Sequence, residues 1–333
     1  MLRKNEVKNT GNNYKSSLLL SRFLGVVNIG PLVALTLWVL IFTLINPFFI
    51  SISNVKIILL NASFTGIISF GMAMVFITGQ FDLSAAGVAT LTAITAAYFM
   101  VLLSWPVWIS ILMAFLMAIM VGLVNGFLIV KLKITPLVAT LGMMFILIGA
   151  VKSITEGYGI YPLPEVFNNI GKAKIFGISW IIIIFIIIAI LFDFILRKTT
   201  FGRKVYATGA DVRVARLMGI NTNLIKMLAY VVVSLFAALS GILYMSYIRS
   251  GTTEIAGDWI LLIIAGVVIG GVSVFGGQGN IIGVTMGVLV VWTMRSGLTM
   301  IGARSEFQLL AIGGILIIST VFDYFKRRSR SSD

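Results

Sequence analysis

Residues 180–198 read WIIIIFIIIAILFDFILRK, and from Ile181 to Leu191 no side chain carries a polar atom. A core helix of a soluble protein shows water at least one polar stripe, so a run that is apolar on every side has lipid as its solvent. The rest of the chain agrees: 59% of its 333 residues are hydrophobic and 11% are charged, with a mean hydropathy of +1.08. That balance is far from a soluble domain. A helix needs about 20 apolar residues to cross roughly 30 Å of hydrocarbon, and the alternating strands of a closed barrel are absent. The expectation is an all-α polytopic membrane protein, one domain over 1–333, with about ten spans. They fall near 23–48, 54–78, 83–104, 106–130, 134–152, 176–196, 226–248, 258–275, 280–302 and 305–323. The basic stretch Met1 to Arg22 precedes an apolar segment with no small-residue cleavage site, so it reads as the lead-in to a retained first helix.

Orientation follows from Lys and Arg in the short connections. With the N-terminus inside, one side collects Arg3, Lys4, Lys8, Lys15 and Arg22, then Lys131 and Lys133. It also collects Arg197, Lys198, Arg203, Lys204, Arg213, Arg216 and Lys226, then Lys326, Arg327, Arg328 and Arg330. The remainder are Lys56, Lys152, Lys172, Lys174, Arg249, Arg295 and Arg304. Both termini are therefore expected in the cytoplasm, with tails at 1–22 and 324–333 and a cytoplasmic loop at 197–226. The net charge of +14 sits at span ends, where it orients helices and meets anionic lipid headgroups, and no nucleic-acid partner is implied.

With no cysteine and no histidine, the chain lacks thiolate and imidazole ligands, a thiol nucleophile and the usual general base. No metal site, cofactor or catalytic residue is expected, and no Gly-x-x-x-x-Gly-Lys-Ser/Thr phosphate loop is present to hold ATP.

Two long connections interrupt the spans. Ser153–Ile175, on the outer side, either meets a partner or bridges a gap. Arg197–Lys226 contains a stretch, Val205–Met218, that reads as a short amphipathic helix with Arg213 and Arg216 on one face. It has nothing of its own chain to cover, which suggests docking to another protein, the alternative being a helix lying on lipid.

Polar groups cluster at two glycine-punctuated breaks. In Thr78-Gly79-Gln80-Phe81-Asp82-Leu83-Ser84 a carboxylate lies between two apolar spans. At membrane depth such a group costs about 2.5–3.5 kcal/mol or more, so it either faces a cavity or caps the helix that begins there. The second break lies among Gly266, Gly270, Gly271, Gly276, Gly277, Gly279, Gly283 and Gly287, whose spacings of four suit close helix packing or a hinge. Gly79-Gln80-Phe81-Asp82 followed by Gly87 is echoed by Gly277-Gln278-Gly279-Asn280 followed by Gly283, a faint internal repeat of the kind duplicated transporters carry.

These segments resemble the permease subunits of ribose, xylose, arabinose and galactose-type ABC importers. The family pattern Gly-Gly-Ile-Asp-Leu-Ser-Val-Gly stands here as Gly79-Gln80-Phe81-Asp82-Leu83-Ser84-Ala85-Ala86. Its cytoplasmic pattern is present from Gly202 to Ile220, with Asp211 in place of Asn, and Gly-Gly-x-Ser-x-Phe-Gly-Gly-x-Gly is intact at Gly270–Gly279. The resemblance covers about residues 50–322. It implies a bacterial plasma-membrane permease that pairs with a second permease chain, a cytoplasmic ATPase and an extracytoplasmic solute-binding protein. It implies ATPase coupling through Gly202, Arg203, Tyr206, Gly209, Asp211, Arg213, Arg216 and Gly219. The solute pathway would use Gln80, Asp82, Ser84, Asn280 and Arg295. The main rival is an ion-coupled carrier, for which Asp82 is the one well-placed carboxylate, Asp193, Asp258 and Glu306 lying near span ends. A membrane enzyme would need clustered carboxylates, His or Cys, which the sequence does not supply.

Overall fold

The computed structural model describes residues 29–254 and 257–330. The tail 1–22, the start of the first expected span and residues 331–333 lie outside the described residues. The chain opens with α1 (Ile29–Ile45) and a 3₁₀ turn, then α2 (Ile52–Ile77) and α3 (Ala85–Ala97), which runs into a π turn at Tyr98–Leu102. Next come α4 (Val107–Gly126), extended by a π turn at Phe127–Lys131, and α5 (Pro136–Thr155). A short α6 (Glu165–Lys172) and an antiparallel hairpin, β1 (Lys174–Ile175) with β2 (Ile178–Ser179), lead into α7 (Trp180–Lys198). Two short helices follow, α8 (Thr200–Ala210) and α9 (Val212–Leu217), and then α10 (Thr222–Ile248), α11 (Trp259–Ile269), α12 (Ile281–Met300) and α13 (Ser305–Arg330).

Among the described residues, 7 helices are long and apolar enough to cross a membrane. The three other expected spans coincide with shorter apolar helices, Gly30–Ile45, Trp259–Ile269 and Ser305–Ile318. The span expected at 258–275 stops at Ile269 because the chain beyond it turns through Gly271, Gly276, Gly277 and Gly279, all at positive φ. Left-handed residues cannot continue a right-handed helix. The Ser153–Ile175 connection is structured: Gly171 donates its N–H to Ser246 Oγ (2.7 Å), whose hydroxyl donates to Phe167 O (2.6 Å). This ties α6 to the end of α10.

Burial separates core helices from lipid-facing ones. Buried residues make up 83% of the most apolar window of α2 and 78% of that of α3, against 28% for α4, α5 and α7. The enclosed helices carry small and hydroxylated residues, and Ser63 and Ser69 donate back to the carbonyls of Leu59 and Thr65. That satisfies each hydroxyl without a lipid-exposed polar atom. α10 is the central post, packed on α2, α3 and α4. Backbones approach where side chains vanish: a Cβ on Gly71 would sit 2.6 Å from Val233 Cα, and one on Gly270 would sit 2.6 Å from Val284 Cα across the α11–α12 contact. The four-residue glycine spacing thus lies on a packed face.

Candidate functional site

Non-helical backbone inside the protein begins at Gly79 (φ +69°). Asp82 is fully buried, and its Oδ1 accepts from Ser84 N (2.7 Å) and Ser84 Oγ (2.6 Å). Asn125 of α4 donates from Nδ2 to Ser84 Oγ (2.8 Å). Leu83 N donates to Thr140 Oγ1 (3.0 Å), and the Tyr230 hydroxyl donates to Phe81 O (3.1 Å). Three neighbouring helices, α4, α5 and α10, each give the break a partner, which is how irregular backbone is tolerated inside a membrane protein. The Asp82 carboxylate closes the turn that leads into α3, through Ser84, the residue immediately before that helix. Gln80 Nε2 donates to Gly79 O (2.8 Å), and Gln80 and Ser84 are buried as well. These three side chains are therefore closed off from solvent. Asp82 Oδ2, Asn125 Oδ1 and Ser234 Oγ are buried without a partner among the described residues. The sequence reading missed Asn125, whose only signal is an amide inside an apolar span.

The second break mirrors the first. Asn280 accepts at Oδ1 from Gly283 N (2.6 Å) and so caps α12. The two breaks touch, for Gly277 N donates to Ile77 O (2.8 Å) and a Cβ on Gly276 would lie 3.0 Å from Gly79 Cα. The repeated Gly-Gln motifs are thus juxtaposed.

α8 lies against this junction. A Cβ on Gly209 would collide with Ile77 O and sit 2.7 Å from Gly277 N. The Tyr206 hydroxyl donates to Gly279 O (2.7 Å); burial, with the Asp193 carboxylate adding to it, pushes that phenol up to about 12, so it stays a donor. Gly202 is needed where α8 folds back on Leu196 O. The single helix expected over Val205–Met218 is two helices, because Asp211 is extended (φ −156°) and caps α9 by accepting from Arg213 N (2.7 Å) and Val214 N (3.1 Å). The N–H groups of Val214 and Arg213 hold the Asp211 carboxyl below its usual range. Arg213 is exposed, as is Arg203, but Arg216 turns back to α10, donating to Thr222 Oγ1 (3.0 Å) and Asn223 Oδ1 (3.3 Å). Gly219, at φ +77° with open space around it, closes α9 instead of making a contact. Val214, Leu217 and Met218 are exposed, Leu217 at 88%.

At the opposite end of the helices is a cavity of about 510 Å³. Four aromatic residues line it, Phe64, Tyr244, Trp259 and Trp292, together with the polar groups Asn61, Glu254, Asp258 and Arg295. Phe64, Tyr244 and Trp259 form a ring cluster with centroids 5.0 to 6.2 Å apart. Arg295 lies 5.3 Å over the Trp292 ring and 3.5 Å from Asp258 Oδ2. A second cavity of about 230 Å³ shares Glu254 and Gly257 with the first and reaches Ala86, Gly87 and Thr90 at the start of α3. Of the expected pathway residues only Arg295 lines these cavities; the aromatic residues were not singled out in the sequence because apolar spans are full of aromatics.

The chain matches the family described as "Branched-chain amino acid transport system / permease component" across residues 54–320. It is 32% identical to the ribose import permease protein of Bacillus subtilis over 89% of this chain and 92% of that one. It is 32% identical to the L-arabinose transport system permease protein of Escherichia coli K12 over 90% and 92% of the two chains. Against the ribose import permease of Haemophilus influenzae the identity is 30% over 94% and 97%. No solved structure matches.

Proposed function

The chain belongs to the family of branched-chain amino acid transport system permease components, and on that premise we propose that it forms half of the translocation channel of an ATP-driven importer for a monosaccharide-like solute. It is a transport subunit and not an enzyme. A second permease chain completes the channel, a cytoplasmic ATPase binds the α8–α9 end, and an extracytoplasmic binding protein delivers solute to the opposite face. The setting is a bacterial plasma membrane with both termini inside, because Arg197 to Lys226 and the tails 1–22 and 324–333 carry most of the basic residues.

The observation that carries this reading is the contact of α8 with both backbone breaks at once. Gly209 is wedged between Ile77 and Gly277, and Tyr206 holds Gly279. A push on α9, which is joined to α8 at Asp211, is transmitted to the Asp82 turn and the Asn280 cap and so to α3 and α12. An interface helix that merely rested on lipid would need no such backbone-to-backbone fit.

The test is Gly209→Val in the permease reconstituted with its ATPase and binding protein. ATP hydrolysis is expected to continue while uptake falls by at least about tenfold, since a displaced helix here costs roughly 1–3 kcal/mol of packing. Unchanged uptake at normal membrane abundance sinks the coupling role.

A further inference from the structure

The cavity beside Arg295 has chemistry that discriminates between solutes, and nothing in the coupling machinery uses it. The family description points to branched-chain amino acids, whereas the similar permeases are named for ribose and arabinose. A leucine or valine side chain is held by dry aliphatic walls. Among the described residues, no Leu, Ile, Val or Met lines this cavity. A sugar ring offers two different surfaces: a face of C–H bonds that lies flat on an aromatic ring, and an edge of hydroxyls that both donate and accept. Tyr244, half-buried and backed by the buried rings of Phe64 and Trp259, supplies the first partner. Glu254, Asp258 and Asn61 supply acceptors, and Arg295 supplies donors.

A quaternary cation is the other guest that aromatic walls suit. It is disfavoured because Arg295 already occupies the Trp292 face and engages the Asp258 carboxylate. The Trp292 indole N–H is spent on Thr65 Oγ1 (2.7 Å), which fixes the ring in place. The walls are therefore preorganised.

We propose that this cavity is the outer subsite for a neutral polyhydroxylated ring, and that Glu254, which also borders the second cavity, passes the ring on toward Ala86 and Gly87. The inference rests on the importer reading, to which it adds the place and the side chains that first receive the solute. Binding at the subsite is weak, because a permease must release what it receives.

Intrinsic tryptophan fluorescence of the purified full-length chain, titrated with D-ribose, L-arabinose, L-leucine and tetramethylammonium, tests it. A saturable response in the millimolar range is expected with a pentose alone, its amplitude lost in Trp259→Phe. Glu254→Gln should weaken the response about tenfold, the cost of one hydrogen bond to a charged group. Arg295→Lys, which keeps the charge, guards against a folding artefact and should weaken it less than Arg295→Gln. A response to leucine or tetramethylammonium in place of the pentoses overturns the proposal, as does no saturable response at all. ATP-dependent uptake measured in parallel separates the two levels: pentose uptake that is normal in Glu254→Gln and Arg295→Gln removes the subsite and leaves the importer standing. Absence of ATP-dependent uptake by the wild type removes the importer reading itself, whatever the binding curve.

Discussion

At Asp82 the carboxylate spends one oxygen on the N–H and hydroxyl of Ser84 and leaves the other buried with no donor among the described residues. Asn at this position keeps the accepting oxygen and removes the need to desolvate a charge. Asp82→Asn is therefore expected to stay within about 1 kcal/mol of the parent, while Asp82→Ala leaves both Ser84 donors without their acceptor and costs about 1–3 kcal/mol. Thermal unfolding of the detergent-solubilised protein measures both, and equal losses would show that the bonds to Ser84 are not what holds Asp82 there. Gly209 and Gly219 make a second pair. Ala at Gly219 meets only the left-handed backbone, a cost of about 1 kcal/mol, whereas Ala at Gly209 runs into Ile77 O. The same unfolding assay should rank Gly209→Ala as the more damaging.

Among elements, α9 is largely exposed and depends on one residue for its start. Its Asp211 cap is a carboxylate whose acidity is raised by the N–H groups it accepts from. A lowered folded-state value means the cap contributes fully above the ordinary carboxylate value of about 3.9 and is lost as pH falls through the lowered one. Hydrogen exchange at the Arg213 and Val214 amides should therefore keep its protection through neutral pH and lose it only in acid. Asp211→Asn should abolish that acid dependence; a loss of protection near neutrality would point to a different group. The outer surface of α9 makes a separate prediction. Val214, Leu217 and Met218 are apolar, exposed and uncovered among the described residues. Replacing Leu217 and Met218 with Ser should reduce ATPase co-purification at least about tenfold, since each buried apolar anchor contributes roughly 1.5–3 kcal/mol. Normal co-purification would move the docking surface elsewhere.

For the whole molecule, the absence of cysteine makes sidedness directly measurable. Asn221 and Tyr158 are exposed at opposite ends of the helices. A membrane-impermeant maleimide should label Asn221→Cys only in inside-out vesicles and Tyr158→Cys only in right-side-out ones. The reverse pattern would put α8 and α9 outside the cell and end the importer reading.

The run at Ile181–Leu191, and others like it, determined the environment, the helical class and the order of the elements, because a backbone in hydrocarbon must satisfy itself within a helix and side chains there have no polar alternative. The glycine breaks were legible too, since Gly takes up at least cost the positive φ that Gly79 and Gly276 adopt. Which polar groups those breaks consume was decided by packing across distant segments: Asn125 reaching Ser84, Arg216 turning to Thr222, and Gln80 folding onto its own backbone. The cavity beside Arg295 gathers residues from Asn61 to Arg295. No local pattern encodes which aromatics of an apolar chain face one another, so that grouping belongs to the tertiary structure alone.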